Sequence, residues 1–189
     1  MSKLHDFIPT RVETVSALRD IRYEIEGLLQ TPKHDPTDES IVETVFFRKM
    51  AHARALCTFF TTSISKRYKD DVVSEDYLFE AKAIYSDEKS EELIDRFNKD
   101  LFHISYARVH RTPHTKAWPM DEMLPPIIVR SKEFISHVLA LGWSDIPSDE
   151  LQRWQTMQSN KFLVSTLAQS TSNVAAPQVA SVERYIKNI

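Results

Sequence analysis

Arg96, Lys99, His103 and His110 recur at helical spacing within fifteen positions of one another. On an α-helix at about 100° per residue, with Leu101 at zero, all four fall within about 40° of the point opposite Leu101. A histidine titrates near neutral pH and can move a proton. A neighbouring arginine or lysine stabilises a pentavalent phosphorane and lowers the basicity of the ring. That is sufficient machinery for cutting RNA through its own 2′-hydroxyl without a metal. His103 would be the general acid/base, with Arg96 and Lys99 holding phosphate charge. The competing reading is an exposed basic face. One helix supplies few groups, so a second copy across a dimer would complete such a cleft.

The other side of the same helix carries a second set. Phe97, Ile94, Ile104 and Leu93 lie within about 80° of Leu101 and form the core face. Asn98, Ser105 and Arg108 intrude on that face, at about 60°, 40° and −20°. On an earlier helix, Arg54 falls about 40° from Met50, inside an aromatic face. Buried arginines need partners. Asp70, Asp71, Asp76 and Glu80 are candidates. Arg54 and Arg108 then fix helix register through ion pairs, snorkel to the rim, or line an anion pocket with Asn98.

Other chemistries find less support. His103, His110 and His114 match no metal-ligand spacing, and the Glu-x-x-His pairs of di-iron bundles are absent. There is no Gly-rich phosphate loop and no Gly-x-Ser-x-Gly elbow. No metal and no cofactor is expected. Cys57 lies on an apolar face and reads as core. Trp118, Trp143 and Trp154 read as packing for helix ends, with base stacking as the alternative.

The elements that must position these residues are helices. Val12, Val15, Leu18, Ile21, Ile25 and Leu28 mark a helix over 11–30. After a polar loop, where Asp35 or Thr37 can cap, an aromatic-rich helix spans about 40–64. A short helix is expected over 74–84, and the helix with the candidate site from about 86 or 90 to 110. Pro125 and Pro126 suit a helix start, with Gly142 as its stop. A last helix is expected over 148–158, and then a Ser/Thr/Gln/Ala-rich tail with a short helix at 181–188.

Composition agrees. The chain has 189 residues but only two glycines and one cysteine. Sheet proteins spend glycine on turns and bulges, so its scarcity argues for helices. A lone cysteine permits no intrachain disulfide and fits a reducing compartment. No apolar run is long enough to span a bilayer. The first residues, MSKLHDFIPTRVE, lack a signal peptide's apolar stretch, so cytoplasm is the expected location and no membrane is an expected partner. A net charge of −3 argues against binding nucleic acid through bulk charge. The expectation is one helical domain over 1–165 and a loose or partly helical tail over 166–189.

Two stretches carry a resemblance: HARALCTFF at 52–60 and FNKDLFHISYAR at 97–108. They resemble a bacterial family of helical proteins similar to HEPN-type domains, the higher eukaryote and prokaryote nucleotide-binding fold. The shared features are Ala53-Arg54-Ala55-Leu56, Asp70-Asp71, Asp76-Tyr77, Asn98-Lys99 with His103, and Arg108, covering roughly residues 40–110. HEPN ribonucleases space an arginine four to six residues from a histidine. Arg96 and His103 enclose six, although Phe97 stands where a polar residue is usual. The resemblance implies an up-and-down bundle of about five helices that pairs as a homodimer. Three functions follow: a module binding a nucleotide, phosphate or RNA through Arg54, Asn98 and Arg108; a metal-independent endoribonuclease of toxin or phage-defence type, with an antitoxin-like protein partner; or a helical dimerisation scaffold.

Overall fold

The computed structural model describes residues 7–30, 39–68, 70–85, 92–94, 96–97 and 118–159. The fold is all-α. Four α-helices stand out among the described residues: α1 (Arg11–Leu29), α2 (Glu39–Thr61), α3 (Met120–Ala140) and α4 (Ser148–Ser159). Residues 92–94 and 96–97 are also helical, and no described residue lies in a strand.

α1 begins at a reciprocal cap. The Thr10 hydroxyl accepts from the Glu13 N–H at 3.3 Å, and the Glu13 carboxylate accepts from the Thr10 N–H at 2.7 Å. Two of the helix's unsatisfied donors are thereby matched. Its buried stripe runs through Thr14, Leu18, Ile21, Ile25 and Leu28, whereas Val12 is exposed. This stripe faces α2, whose Met50, Ala53, Leu56, Cys57, Phe59 and Phe60 are buried. The two helices approach closely at Gly27. A Cβ there would lie 2.2 Å from Nε2 of His52, so only glycine leaves room for that ring.

α3 lies against α2 and carries the centre of the core. Phe134 is fully buried, and its ring meets those of Phe59, Phe60, Tyr77, Phe79 and Trp154 at centroid distances of 5.1–6.0 Å. These are mostly edge-to-face contacts, the arrangement the ring quadrupole favours. α4 closes the bundle through Trp154 and Met157.

Two sequence expectations are corrected here. The helix expected over 74–84 is a single 3₁₀ turn, Ser74–Tyr77, followed by irregular chain. Its carboxylates are engaged elsewhere: Glu75 accepts from the Ile64 N–H, and Asp76 accepts from the Val73 N–H. Leu78 then takes a left-handed conformation, φ 59°, which no α-helix can continue through. The irregular stretch is pinned by long-range bonds. Tyr77 donates to the Thr14 carbonyl, Lys82 N–H donates to the Phe60 carbonyl, and Tyr85 donates to the Met123 carbonyl.

The second correction concerns α3. It starts at Met120, with Pro119 as cap, so Pro125 and Pro126 lie inside it rather than at its head. An interior proline costs about 3 kcal/mol. The loss is offset because Met123, Leu124, Ile127, Phe134, Ile135 and Val138 are all buried, each worth about 1.5–3 kcal/mol. The glycine stop is as expected, with Gly142 at φ 62° just past the helix end. The proposed caps Asp35 and Thr37, and the tail over 166–189, lie outside the described residues.

Candidate functional site

Two places in the fold gather chemistry-bearing side chains. The first is a cleft of about 320 Å³ between α1 and the chain around the 3₁₀ turn at 74–77. Phe7 and Tyr77 contribute aromatic walls; Glu13, Asp20, Asp70, Asp71 and Asp76 contribute carboxylates, and Arg67 contributes a guanidinium. Arg67 and Asp76 form a two-pronged pair at 2.8 and 3.2 Å, each side chain only 5% exposed. Burial, with the charges of Asp76 and Asp20, pushes the Tyr77 phenol well above its ordinary range. Each unneutralised carboxylate within about 4 Å of a bound phosphate would oppose it by about 1–4 kcal/mol. The cleft therefore suits cations and repels anions. Among the described residues, no group of three or more His, Cys, Asp or Glu side chains is arranged to hold a metal ion.

The second place is the contact between α2, the helical residues 96–97 and the chain just before α3. Trp118 is its hub. Its ring lies 6.1 Å from that of Phe46 and 6.3 Å from that of Phe97. The Arg96 guanidinium sits 4.7 Å from the Trp118 centroid. Such a cation–π contact gains strength where water is excluded, and Arg96 is only 5% exposed.

The predicted site residues are distributed as follows. Arg54 is half-buried on α2. Of its four expected acidic partners, Asp76 pairs with Arg67, Asp70 and Asp71 line the acidic cleft, and Glu80 is exposed. Arg96 is not on an open basic face. The wheel placed it opposite the core, but Trp118 covers that side of the helix, so both sides are packed. Leu93 and Phe97 do lie in the core, as their stripe requires. Asn98, Lys99, His103, Arg108 and His110 lie outside the described residues.

Three polar features escaped the reading of the sequence. Arg22 is buried on α1 and bonds Glu150 of α4 at 2.6 Å and Glu26 at 2.8 Å; Glu150 also accepts from the Trp154 indole. The signal was present, because Arg22 follows Leu18 by four and precedes Ile25 by three. His52 reaches Glu24 at 2.7 Å under the edge of Tyr23. Lys49 lies on the stripe of Ala53, Leu56 and Phe60, an inward position that the wheel centred on Met50 could have disclosed.

The remaining expectations concern inert groups. Cys57 is buried, and burial pushes its thiol up to about 12, which leaves it protonated and unreactive near neutral pH. Trp154 is fully buried, and Trp143 stacks on Tyr77 under Arg11, so both serve packing. No described helix is long and apolar enough to cross a membrane.

No protein-family model, curated protein or solved structure matches this chain, so the assignment of function rests on its own residues and geometry.

Proposed function

We propose that this chain is a HEPN-like helical module that binds a phosphate-bearing ligand, a nucleotide or RNA, along the helix that carries residues 92–94 and 96–97. Arg54, Asn98 and Arg108 are its ligand-binding residues in this reading. The observation that carries it is the seating of Arg96, on that helix, against Trp118. Arg96 is buried and holds the half-buried Trp118 indole in place, and a fixed indole is a flat apolar surface on which a base stacks. The acidic cleft beside α1 cannot serve, because its charge opposes phosphate.

The same observation favours binding over cleavage. A ribonuclease of the kind the spacing suggests needs its arginine free to meet the scissile phosphate together with His103. Arg96 is 5% exposed and engaged with Trp118. The proposed module works as a homodimer through the same helix.

The test uses labelled single-stranded RNA and ATP with purified full-length protein, in EDTA. The expected result is saturable binding that Arg108→Ala and Asn98→Ala weaken, with the RNA left intact. RNA cleavage that His103→Ala abolishes would replace this reading with the endoribonuclease. The absence of binding to RNA, ATP and inorganic phosphate would reduce the protein to a scaffold.

A further inference from the structure

The cleft beside α1 already holds one cation of its own. The Arg67 guanidinium meets both carboxylate oxygens of Asp76, at 2.8 and 3.2 Å, and lies 5.8 Å from the centroid of the Phe7 ring. A carboxylate and a ring face are the two surfaces that attract an organic cation. One guanidinium does not balance the cleft, which five carboxylates line. Asp76 is taken by Arg67, and Glu13 by the Thr10 cap. Asp20, Asp70 and Asp71 are exposed, and none of their side chains forms a hydrogen bond or ion pair with a described residue.

The cleft is also a cavity with apolar walls. Phe7, Pro9, Ala17 and Val72 line it, and its volume of about 320 Å³ falls in the range of small-molecule pockets, about 300–1,000 Å³. Such walls take up the methylenes of a ligand, while the carboxylates take up its charges. A bare metal ion does not suit this arrangement. A hard divalent cation needs several oxygens converging on one point. Among the described residues, no three such side chains converge in that way. Charges spaced along an apolar chain match carboxylates spaced along an apolar wall.

We propose that this cleft binds a linear polyamine, its methylenes against Phe7 and Val72 and its ammonium groups paired with Asp20, Asp70 and Asp71. The proposal goes beyond the phosphate-binding reading and does not depend on it, since the cleft uses none of that site's residues. A lysine side chain of a protein partner carries the same ammonium, and the test separates the two sources.

Trp143 stacks on Tyr77, a cleft residue, so its indole reports on occupancy. Spermidine, putrescine, Mg²⁺ and a tetralysine peptide are titrated separately into ¹⁵N-labelled full-length protein at fixed ionic strength. Binding is followed by calorimetry and by the indole N–H resonances. The expected result is saturable binding of spermidine that moves the Trp143 resonance and leaves Trp154 still, with putrescine weaker. Asp20→Asn/Asp71→Asn should lower spermidine affinity about tenfold. Both positions are exposed and outside the Arg67–Asp76 pair, so the thermal midpoint should hold. Phe7→Leu, which keeps an apolar wall but removes the ring face, should weaken binding severalfold.

Unchanged spermidine affinity in the double variant would overturn the proposal. Mg²⁺ binding as tightly as spermidine would also overturn it, reducing the cleft to a region of screened charge. Tetralysine binding more tightly than spermidine would replace the polyamine with a basic protein segment. No binding of spermidine to wild-type protein would remove the site altogether.

Discussion

Replacing Glu150 by alanine tests how α4 is held to α1. In the native protein Glu150 receives the Arg22 guanidinium at 2.6 and 3.2 Å and the Trp154 indole at 3.0 Å. The Arg22 and Glu150 side chains are 7% and 11% exposed. Removing the carboxylate leaves a buried guanidinium with Glu26 as its remaining bonded partner among the described residues, and leaves the fully buried Trp154 N–H without its acceptor. Breaking one side of a buried pair costs about 3–5 kcal/mol. Because Glu26 still compensates part of the charge, about 3 kcal/mol is expected, a large share of the 5–15 kcal/mol that holds a typical domain. The assay is urea unfolding followed by far-UV circular dichroism, with the midpoint falling and the slope unchanged. The double replacement Arg22→Met with Glu150→Leu should recover most of the loss, since a buried ion pair exchanged for apolar groups is often neutral. A loss below about 1 kcal/mol, the range of a solvent-screened pair, would refute the burial of this contact and with it the docking of α4.

Two further predictions follow from local geometry. Gly27→Ala should destabilise the protein, because its Cβ would meet the His52 ring at 2.2–2.5 Å. Overpacking of about 1–3 kcal/mol is partly offset by about 1 kcal/mol of helix propensity. Thermal melts should show the loss and its reversal against a His52→Ala background, and a Gly27→Ala protein more stable than wild type would contradict the close crossing. Acid stability provides the other test. The Thr10 backbone and hydroxyl hold the Glu13 carboxyl below its ordinary pKa, and Arg11 does the same for Asp145. A carboxylate with a depressed folded-state pKa contributes stability above its unfolded pKa of about 4, lost as pH falls through the folded value. The double variant Glu13→Gln/Asp145→Asn should therefore lose less stability than wild type between about pH 5 and pH 2. Parallel curves for the two proteins would contradict this assignment.

Helices with strong periodicity and clear ends were legible in the sequence. α1, α2 and α4 lie within a few residues of their expected limits, and Gly142 ends α3 as its type predicts. The failures have physical causes. Residues 74–84 carry helix-compatible residues, but Glu75 and Asp76 bond loop N–H groups and Tyr77 is fixed to Thr14, so tertiary bonds override local propensity. Pro125 and Pro126 signal a helix start by their chemistry, yet the packing of Met123 and Leu124 extends the helix back past them. A wheel assigns each residue to one side of one helix and cannot show a second layer covering the other side. Arg96 under Trp118 is that case. The buried pairs Arg22–Glu150 and Arg67–Asp76 join residues whose proximity only the folded chain reveals for the first and a non-helical turn reveals for the second. Of the candidate residues, Arg54 and Arg96 are placed by the structure.

The three tryptophans make the central claim directly measurable. Trp118 sits with Arg96 and Phe46, Trp143 stacks on Tyr77 of the acidic cleft, and Trp154 is buried against Glu150. Their indole N–H resonances, followed in ¹H–¹⁵N spectra during a titration with ATP, report on three separate places. The account predicts that the Trp118 resonance moves in a saturable way while Trp143 and Trp154 hold still. Movement of Trp143 with Trp118 unchanged, or no movement of any indole, would contradict it.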